Sequence, residues 1–488
     1  MKTQTEMRNS YRGNYCFRTS VVALSSFLMA VSFTGCISDD LPSSKNTGTL
    51  RVSADNPRYF ADSTGNIVYL TGAHTWSNLM DADTNFPPEP FDFNKYVNWL
   101  KEHNHNFIRM WTWEMLTWQS RTYRPDNSLK IYPHPYERTG SGFATDGRPK
   151  FDLTRFNQEY FTRLRERIEN AGKHNIYVSV MLFEGWSMQF ATDGWKNHFF
   201  NPENNINGIN GDINNDGSGL EIYTLADTTI TGLQEKYVKH VIDAVNHLDN
   251  VLFEISNENH PPSTEWQYHM INLIHDYEKQ KPKQHPVGMT FQYKGGSNDA
   301  LFASPAEWIS PNNRSNNVDV RNDPPAADGR KVILYDTDHL GGIWGNQPWV
   351  WKTFLRGMNP LFMDPYDGAF IPDPPDKNWE PVRKNMGYTL KYAARMNLKN
   401  AIPHNELSTT TYCLADPGME YIIYQEISDS SFDASLVKGR YKYEWFNPTK
   451  GIVEESGTIK VPDGKRTFKA RFSGDAVLYL KNSRKVSK

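Results

Sequence analysis

The residue types best suited to catalysis in this sequence are carboxylates that directly follow short apolar runs. The stretch 250–260 reads NVLFEISNENH, and its apolar run 251–255 has the length of a buried strand. The run ends in Asn257 and Glu258, so a strand delivers a carboxylate to its carboxyl end. In a parallel barrel such ends open onto a mouth lined by loops, where a glutamate can meet substrate. The alternative is that Glu258 caps the helix that begins near Ser263.

Further carboxylates, histidines and aromatic residues follow other predicted strands. These strand-end residues are His74, Trp76, Arg109, Trp113, Glu114, Glu184, Trp186, Gln292, Tyr293, Asp336, Asp338, His339, Asp364 and Tyr366, with Trp344 in the loop after the seventh strand. Glycoside hydrolysis uses this mixture, because one acid protonates the leaving oxygen, a second carboxylate attacks or activates water, and aromatic rings stack on sugars. The tryptophans have the alternative role of packing the loops. Asp364 and Tyr366 either line a subsite or cap the last helix.

A metal site is the competing interpretation of part of this set. His74, Asp336, Asp338 and His339 are residue types that hold metal ions in barrel hydrolases. No HxH sequence follows the first strand, so the pattern favours a mechanism without a catalytic metal. We expect the two histidines to bond substrate or to orient a carboxylate.

Alternating strands and helices must position these residues. Strand-length apolar runs occupy residues 68–72, 106–110, 176–183, 251–255, 287–291, 308–310, 331–335 and 360–363. Amphipathic helices are predicted at residues 92–104, 153–171, 233–248, 264–279, 348–357 and 381–396. This cadence, without a glycine-rich nucleotide turn, predicts an α/β protein with a (β/α)8 TIM barrel over residues 50–403, closed at the bottom by a hairpin at 50–66.

The chain after residue 403 has a different pattern. Short strands separated by turns are predicted at residues 421–425, 440–445, 457–461, 467–472 and 476–481. They indicate a small antiparallel β-sandwich over residues 404–488.

The Asn- and Gly-rich excursion 187–227 carries a partial calcium-loop pattern. Asp212, Asn214 and Asp216, followed by a glycine, match the first half of the pattern D-x-N-x-D-G, in which alternating oxygens converge on the ion. Position twelve is Tyr223 instead of a glutamate, and the nearest carboxylate is Glu221. The alternatives are therefore a structural Ca²⁺ site and a plain turn, and no organic cofactor is expected.

Composition excludes one class of partner and favours another. The 488-residue chain has a formal net charge of −3 and no basic stripe, so nucleic acid is not expected as a partner. Aromatic residues make up 13% of the chain, often next to turns, which favours an aromatic-lined cleft of the kind that binds glycans. The oligomeric state is left open.

The first 36 residues have the composition of a targeting segment. Three arginines precede the apolar stretch 21–33, which is too short to span a bilayer, and the stretch ends at Cys36. This resembles a bacterial lipoprotein signal, which implies acylation (palmitate) of Cys36, a polar tether over 37–49 and a membrane contact through that lipid anchor only. Ordinary secretory cleavage is the alternative. Acidic residues after Cys36 resemble a surface-export tag, so the expected location is the outer membrane of a Gram-negative bacterium, at its periplasmic face or the cell surface. Cys413 is then the one cysteine of the mature fold and is expected to be a buried thiol.

The strand-end residues also resemble those of a known group of enzymes. Asn257-Glu258 after the fourth strand, Arg109 in the second and an acid after the seventh look like the clan A glycoside hydrolases. The segments that resemble Bacteroidetes proteins near the apiosidase-like barrels (glycoside hydrolase family 140) are YLTGAHTW, NFIRMWTWE, ILYDTDHLGGIWGNQPWVWKTFLRGMNPLFMDPYDG, YEWFNPTKG and AVLYLK. Those proteins carry a C-terminal domain of the putative collagen-binding type, and nothing in the strands here argues for collagen.

This resemblance implies roles for individual residues. Glu258 would be the acid/base, Asn257 would bind a sugar hydroxyl, and Arg109 would keep the nucleophile ionised. The nucleophile is Asp338 or Asp336, and the D-x-E pattern of related barrels favours Asp338. An Asp is one methylene shorter than the usual Glu, which leaves retaining and inverting outcomes open. Glu184 is a third candidate acid, with substrate binding or a solvated loop position as alternatives.

These observations predict a glycoside hydrolase that cleaves a polysaccharide or oligosaccharide outside the cytoplasm. The competing class is a non-catalytic, surface carbohydrate-binding lipoprotein built on the same barrel, which would need the aromatic residues but not the acids.

Overall fold

A computed structural model describes residues 48–312 and 319–483. The predicted signal segment 1–36, the acylated Cys36 and nearly all of the tether lie outside these residues. Within the two described ranges, no helix has both the length and the hydropathy needed to cross a membrane.

The centre of the fold is a sheet of eight parallel strands. In chain order these strands are Gly72–His74, Phe107–Met110, Tyr177–Glu184, Val251–Asn257, Val287–Thr290, Trp308–Ser310, Val332–Asp336 and Asn359–Met363, called barrel strands 1 to 8 below. From strand 2 to strand 8 each strand pairs with the next one in sequence, and strand 8 pairs with strand 1. The ring closes between strands 1 and 2, where the Asn106 N–H donates to Thr71 O at 3.0 Å. Gly72 permits this approach, because a Cβ atom there would lie 2.0 Å from the carbonyl oxygen of Phe107. The predicted TIM-barrel architecture is confirmed.

Helices connect and cover the barrel strands. The longer ones are Phe93–Glu102, Gln158–Lys173, Thr228–Val245, Thr264–Glu278, Gln347–Leu355 and Glu380–Arg395, with shorter ones at Trp186–Phe190, Asn298–Ala303 and Thr337–Gly341. Their buried faces pack on the sheet with i, i+3, i+4 spacing, as in Phe93, Tyr96 and Val97. The six predicted helices are all present, with shifted ends.

One prediction near the amino end of the barrel was wrong in detail. Strand 1 begins at Gly72 instead of residue 68, because Ile67–Val68 pairs with Phe60–Ala61 in a separate small sheet that also contains Arg51–Val52. Leu50 and Phe60 from this segment pack against the amino ends of the barrel strands, so the segment does close the bottom of the barrel.

The aromatic segment after strand 2, for which no strand was predicted, contains four strands. Thr117–Ser120 and Arg124–Tyr132 form a sheet with Asp81–Asp83, and Tyr136–Phe143 pairs with Pro149–Phe156. The following helix therefore begins at Gln158 and not at residue 153.

The C-terminal region is an antiparallel assembly. A six-stranded sheet contains Ile402–Pro403, Cys413–Asp416, Glu420–Gln425, Ala476–Asn482, Gly439–Asn447 and Ile452–Val461, and Phe432–Leu436 pairs with Gly464–Phe468 beside it. Cys413 is fully buried there.

One face of the six-stranded sheet packs on the last two long barrel helices. Trp351 and Phe354 of one helix and Tyr392 of the other share an apolar cluster with Tyr424 and Phe446 of the sheet. We call this contact the barrel–sheet interface.

Candidate active site

A cavity of about 230 Å³ lies at the carboxyl ends of the barrel strands. The predicted site residues that line it are Trp76, Trp113, Glu184, Trp186, Asn257, Glu258, Tyr293, Asp338 and His339. The structure adds lining residues that the sequence did not single out, namely Trp111, Trp118, Tyr123, Asn312, Met363, Phe370 and Ile371. The site therefore combines three carboxylates with a largely aromatic wall.

Arg109 organises the acids beneath this cavity. Its guanidinium is 1% exposed and donates to both carboxylate oxygens of Glu254, at 2.6 and 2.8 Å. Nη1 also reaches Asp336 at 3.1 Å and Asp338 at 2.8 Å, and Nη2 donates to Asn257 Oδ1 at 2.7 Å. This buried cation thus compensates the negative charge of three carboxylates and fixes the side-chain amide of Asn257, the residue before Glu258.

Asp336 and Asp338 occupy different positions, although they are only two residues apart in the chain. Asp336 is fully buried below the cavity, and its Oδ1 accepts the Asp338 N–H at 3.0 Å. Asp338 lines the cavity beside Glu258. Burial opposes ionisation of Asp336, but His74 and Arg109 outweigh it and hold its pKa well below the usual range. Burial raises the pKa of Asp338, and Arg109 opposes that rise.

His74 supports Asp336 and does not line the cavity. The indole N–H of Trp111 donates to His74 Nδ1 at 3.0 Å, so that nitrogen carries no proton. Nε2 of the same ring lies 2.8 Å from Asp336 Oδ2. The histidine therefore orients a carboxylate, which was one of its two predicted roles.

Glu258 stands on a strained backbone at the end of strand 4. Its φ of +42° lies in the left-handed region that residues other than glycine rarely adopt. Its carbonyl oxygen accepts a hydrogen bond from Gln189 Nε2 at 2.8 Å. The helix Thr264–Glu278 has Ser263 at its N-cap, so Glu258 does not cap it. Burial and the negative charge of Asp338 raise the pKa of Glu258 well above its usual value.

Asn257 and His339, which directly precede Glu258 and follow Asp338 in the chain, contact each other in the cavity lining. Asn257 Oδ1 accepts from Arg109 and lies 3.2 Å from His339 Nε2, while His339 Nδ1 lies 2.6 Å from Ser310 Oγ. Burial and Arg109 lower the pKa of His339 well below its usual value, so the ring is neutral. Since Asn257 Oδ1 can only accept there, Nε2 carries the histidine proton.

Glu184 is buried at the end of strand 3 and is not a solvated loop residue. Its carboxylate accepts the N–H groups of Trp186 and Ser187, both at 3.0 Å, at the start of a short helix. Burial raises its pKa to about 7. Glu114, beneath it, accepts the Glu184 N–H at 2.9 Å and the Tyr223 hydroxyl at 2.6 Å. Glu184 is thus a positioned cavity acid.

Three predicted site residues lie away from the cavity lining. Asp364 is fully buried and accepts from Arg383 at 2.7 and 2.8 Å. Tyr366 packs on Trp99, with ring centres 4.8 Å apart, and Trp344 packs on Trp349 at 5.3 Å. These side chains stabilise loops instead of facing the space between the acids.

The metal interpretation of the barrel mouth does not fit the geometry. In the part of the chain that the structure describes, His74, Asp336, Asp338 and His339 do not converge on a common point. The guanidinium of Arg109 contacts both aspartates, which places a fixed cation where an ion would have to bind.

The predicted calcium loop does bring its carboxylates together. Ligand oxygens of Asp212, Asp216 and Glu221 lie within 4.8 Å of one another. Asn214 donates its amide N–H to Asp216 at 3.1 Å and also contacts Glu221. Glu221 Oε2 is buried and has no hydrogen-bond partner within the described ranges.

Comparisons with known proteins match this fold. A family model described as a domain of unknown function (DUF6298) matches residues 104–308. A search of curated proteins finds no match. A solved structure described as a glycoside hydrolase has a TM-score of 0.55 and 12% identity, and the match covers 90% of this chain and 98% of that one. A glycoside hydrolase family 5 structure from Bacteroides vulgatus has a TM-score of 0.58 and 12% identity, with 90% and 94% covered. At this identity the likeness establishes the shared TIM-barrel fold.

Proposed function

We propose that the protein is a glycoside hydrolase that cleaves a polysaccharide or oligosaccharide with two carboxylates. The observation that carries the proposal is that Glu258 and Asp338 line one cavity in different electrostatic settings. Burial raises the pKa of Glu258 well above its usual value, which suits a proton donor. Asp338 accepts a hydrogen bond from Arg109 at 2.8 Å, which suits a group that must carry negative charge.

The proposed reaction follows from these two settings. A carboxylate oxygen of Asp338 attacks the anomeric carbon while the bond from that carbon to the leaving oxygen breaks, and Glu258 transfers its proton to that oxygen. Water then gives a proton to Glu258 and adds to the anomeric carbon, which releases Asp338 and the sugar. This sequence retains the anomeric configuration. Asn257 and His339, held by Arg109 and Ser310, are proposed to bond sugar hydroxyls near the broken bond.

Two variants test the assignment on the mature chain, residues 37–488. Glu258→Gln and Asp338→Asn are assayed on a panel of plant and algal glycans, together with the buried control Glu278→Gln, which lies in the helix Thr264–Glu278. General acid catalysis contributes about 10²–10⁴-fold, so Glu258→Gln should lose that much activity while Asp338→Asn loses more. The control should keep its activity.

The same panel separates the enzyme from the competing carbohydrate-binding protein. Aryl glycosides with a good leaving group need no proton on the leaving oxygen. Glu258→Gln should therefore lose far less activity on these substrates than on natural glycans. Binding of a glycan without cleavage, equal in the wild type and both acid variants, would refute the catalytic proposal.

We further propose that Asp212, Asp216 and Glu221 hold a structural Ca²⁺. Hard carboxylate oxygens suit this ion, and the unpartnered Glu221 Oε2 is a ready ligand. The ion would stabilise a segment whose Leu220 carbonyl lies 2.9 Å from His260 Nε2, two residues beyond Glu258.

The location and the finer family remain proposals that rest on the sequence. Acylation of Cys36 would anchor the protein to the outer membrane, and Cys36→Ser should release it from membrane fractions into the soluble one. The kinship with the apiosidase-like barrels rests on the motif resemblance given above.

A further inference from the structure

The cavity is walled off on the side of barrel strands 8, 1 and 2. Trp113 stacks on Phe370 with ring centres 4.0 Å apart and planes at 6°, and these side chains are 3% and 0% exposed. Trp118 packs edge-on against Phe370 at 5.0 Å. Phe370 lies in the loop after strand 8, whereas both tryptophans belong to the segment after strand 2. Rings from two separate loops therefore form one continuous wall.

Polar contacts fix these loops to each other. Arg124 Nε donates to the carbonyl oxygen of Ala369 at 2.6 Å, which joins the excursion after strand 2 to the loop after strand 8. The Ser77 N–H donates to Asp367 Oδ2 at 2.9 Å, which joins the loop after strand 1 to the same loop. Hydrogen bonds thus join three loops across this side of the cavity, where a long saccharide would have to pass if the site were an open cleft. We call this assembly the closed side.

In the described ranges, the rim beside Glu258 carries exposed aromatic rings, and we call it the open rim. Glu258 ends strand 4, and its neighbours Trp186 and Tyr293 follow strands 3 and 5. Tyr293 is 39% exposed, and Tyr123, which the excursion after strand 2 brings to this rim beside Trp186, is 38% exposed; both line the cavity. The rings of Tyr123 and Trp186 lie 6.1 Å apart. Exposed aromatic rings beside a cavity are suited to stacking on a sugar that continues outward.

The chemistry orients a substrate between these two sides. The leaving oxygen must reach Glu258 to receive its proton, so the leaving group lies on the open rim. The sugar that carries the anomeric carbon then occupies the space between Asp338 and the closed side. We propose that the enzyme is exo-acting: it removes sugars from the non-reducing end of a saccharide whose remainder leaves over Trp186 and Tyr293. This inference rests on the proposed function.

The pattern of cleavage tests exo-action. Xylan, mannan, β-glucan, arabinogalactan and rhamnogalacturonan are incubated with the mature chain, and viscosity, reducing ends and product sizes are followed in one reaction. We expect one small sugar product from the first time point and a viscosity that falls only in proportion to the mass released. A rapid loss of viscosity with products of mixed length would overturn exo-action while supporting hydrolysis. If no glycan is cleaved, the proposed function fails and this inference fails with it.

Two variants connect the result to the wall. Phe370→Ala removes the stacked ring, and Arg124→Ala removes the bond between loops with little loss of packing, in case the first variant does not fold. Either change should add longer products to the single small one. The comparison variant Tyr293→Ala, on the open rim, should raise KM for long substrates and leave product size unchanged. If both wall variants fold and still release only the small sugar, the closed side does not determine exo-action.

Discussion

The cation in the centre of the acid cluster offers the sharpest test of the structure. Replacing Arg109 by Met removes the one side chain that contacts Glu254, Asp336 and Asp338 together. The methionine fills much of the volume, so the loss is mainly one of charge and hydrogen bonds. Three carboxylates would then remain buried without their common partner.

The size of the effect follows from this burial. Removing one partner of a buried ion pair costs about 3–5 kcal/mol in the free energy of unfolding, because the other charge is left uncompensated. For a chain of this length, with an unfolding entropy of about 2.1 cal/mol/K per residue, this corresponds to a fall of about 3–5 °C in Tm. The control is Arg155→Met, whose ion pair with Glu137 is 2.7 Å long but whose side chain is 60% exposed. An exposed pair contributes about 0–1 kcal/mol, so its Tm should barely move.

The pH dependence of the change in Tm distinguishes a loss of charge compensation from a loss of packing. The pKa of Asp336 is lowered in the folded state, so its contribution to stability is present above its unfolded pKa and is lost as the pH falls through the folded one. Without Arg109 this depression is weaker, so the difference in Tm between wild type and variant should be fully present near pH 7 and should shrink as the pH falls below about 4, the usual pKa of an aspartate. Differential scanning calorimetry across this range measures it. A difference that is absent, or that stays constant with pH, would refute the charge-compensation argument.

Three further results are expected. Burial and Asp338 raise the pKa of Glu258, so kcat/KM should persist to a pH well above 4.5 and fall only when Glu258 loses its proton at higher pH. A fall of kcat/KM on the alkaline side already near pH 4.5 would contradict this. Asp364→Asn should lower Tm by breaking the pair with Arg383 and leave KM unchanged, so a large KM effect would return Asp364 to the substrate site. Removing Ca²⁺ with EGTA should lower the Tm of the wild type but not that of Asp216→Asn, and equal effects on both would argue against the proposed ion site.

Local sequence pattern was sufficient to locate the barrel strands and the acids at their ends. An apolar run followed by polar residues is a short-range signal, so the sequence alone could place Glu258, Glu184 and Asn257 at the mouth of the barrel. The choice between Asp336 and Asp338 could not be made in this way. It depends on the turn into the helix Thr337–Gly341, where Asp336 faces His74 and Arg109 and Asp338 faces the cavity.

The missed parts of the cavity depend on contacts between distant segments. Tyr123 lies between the strands Thr117–Ser120 and Arg124–Tyr132, and the second of these pairs with the distant Asp81–Asp83. No periodicity within the segment predicts that pairing. Phe370 follows a predicted strand by several residues and becomes part of the wall only through Trp113. Asp364, by contrast, directly follows a strand, yet it forms an ion pair with Arg383 of the last long helix. Position at a strand end thus places a residue near the mouth but does not say which way it points.

The barrel–sheet interface has a consequence for how this chain can be divided. Trp351 and Phe354 are fully buried, and Tyr392 is 3% exposed, because the C-terminal sheet covers them. Gln347 also donates to Asp475 of that sheet at 2.7 Å. A chain ended at Pro403 would present this aromatic surface to water, so it should aggregate on expression instead of yielding a soluble catalytic fragment. The sheet is therefore an outer layer of the barrel's own fold and not a separable module.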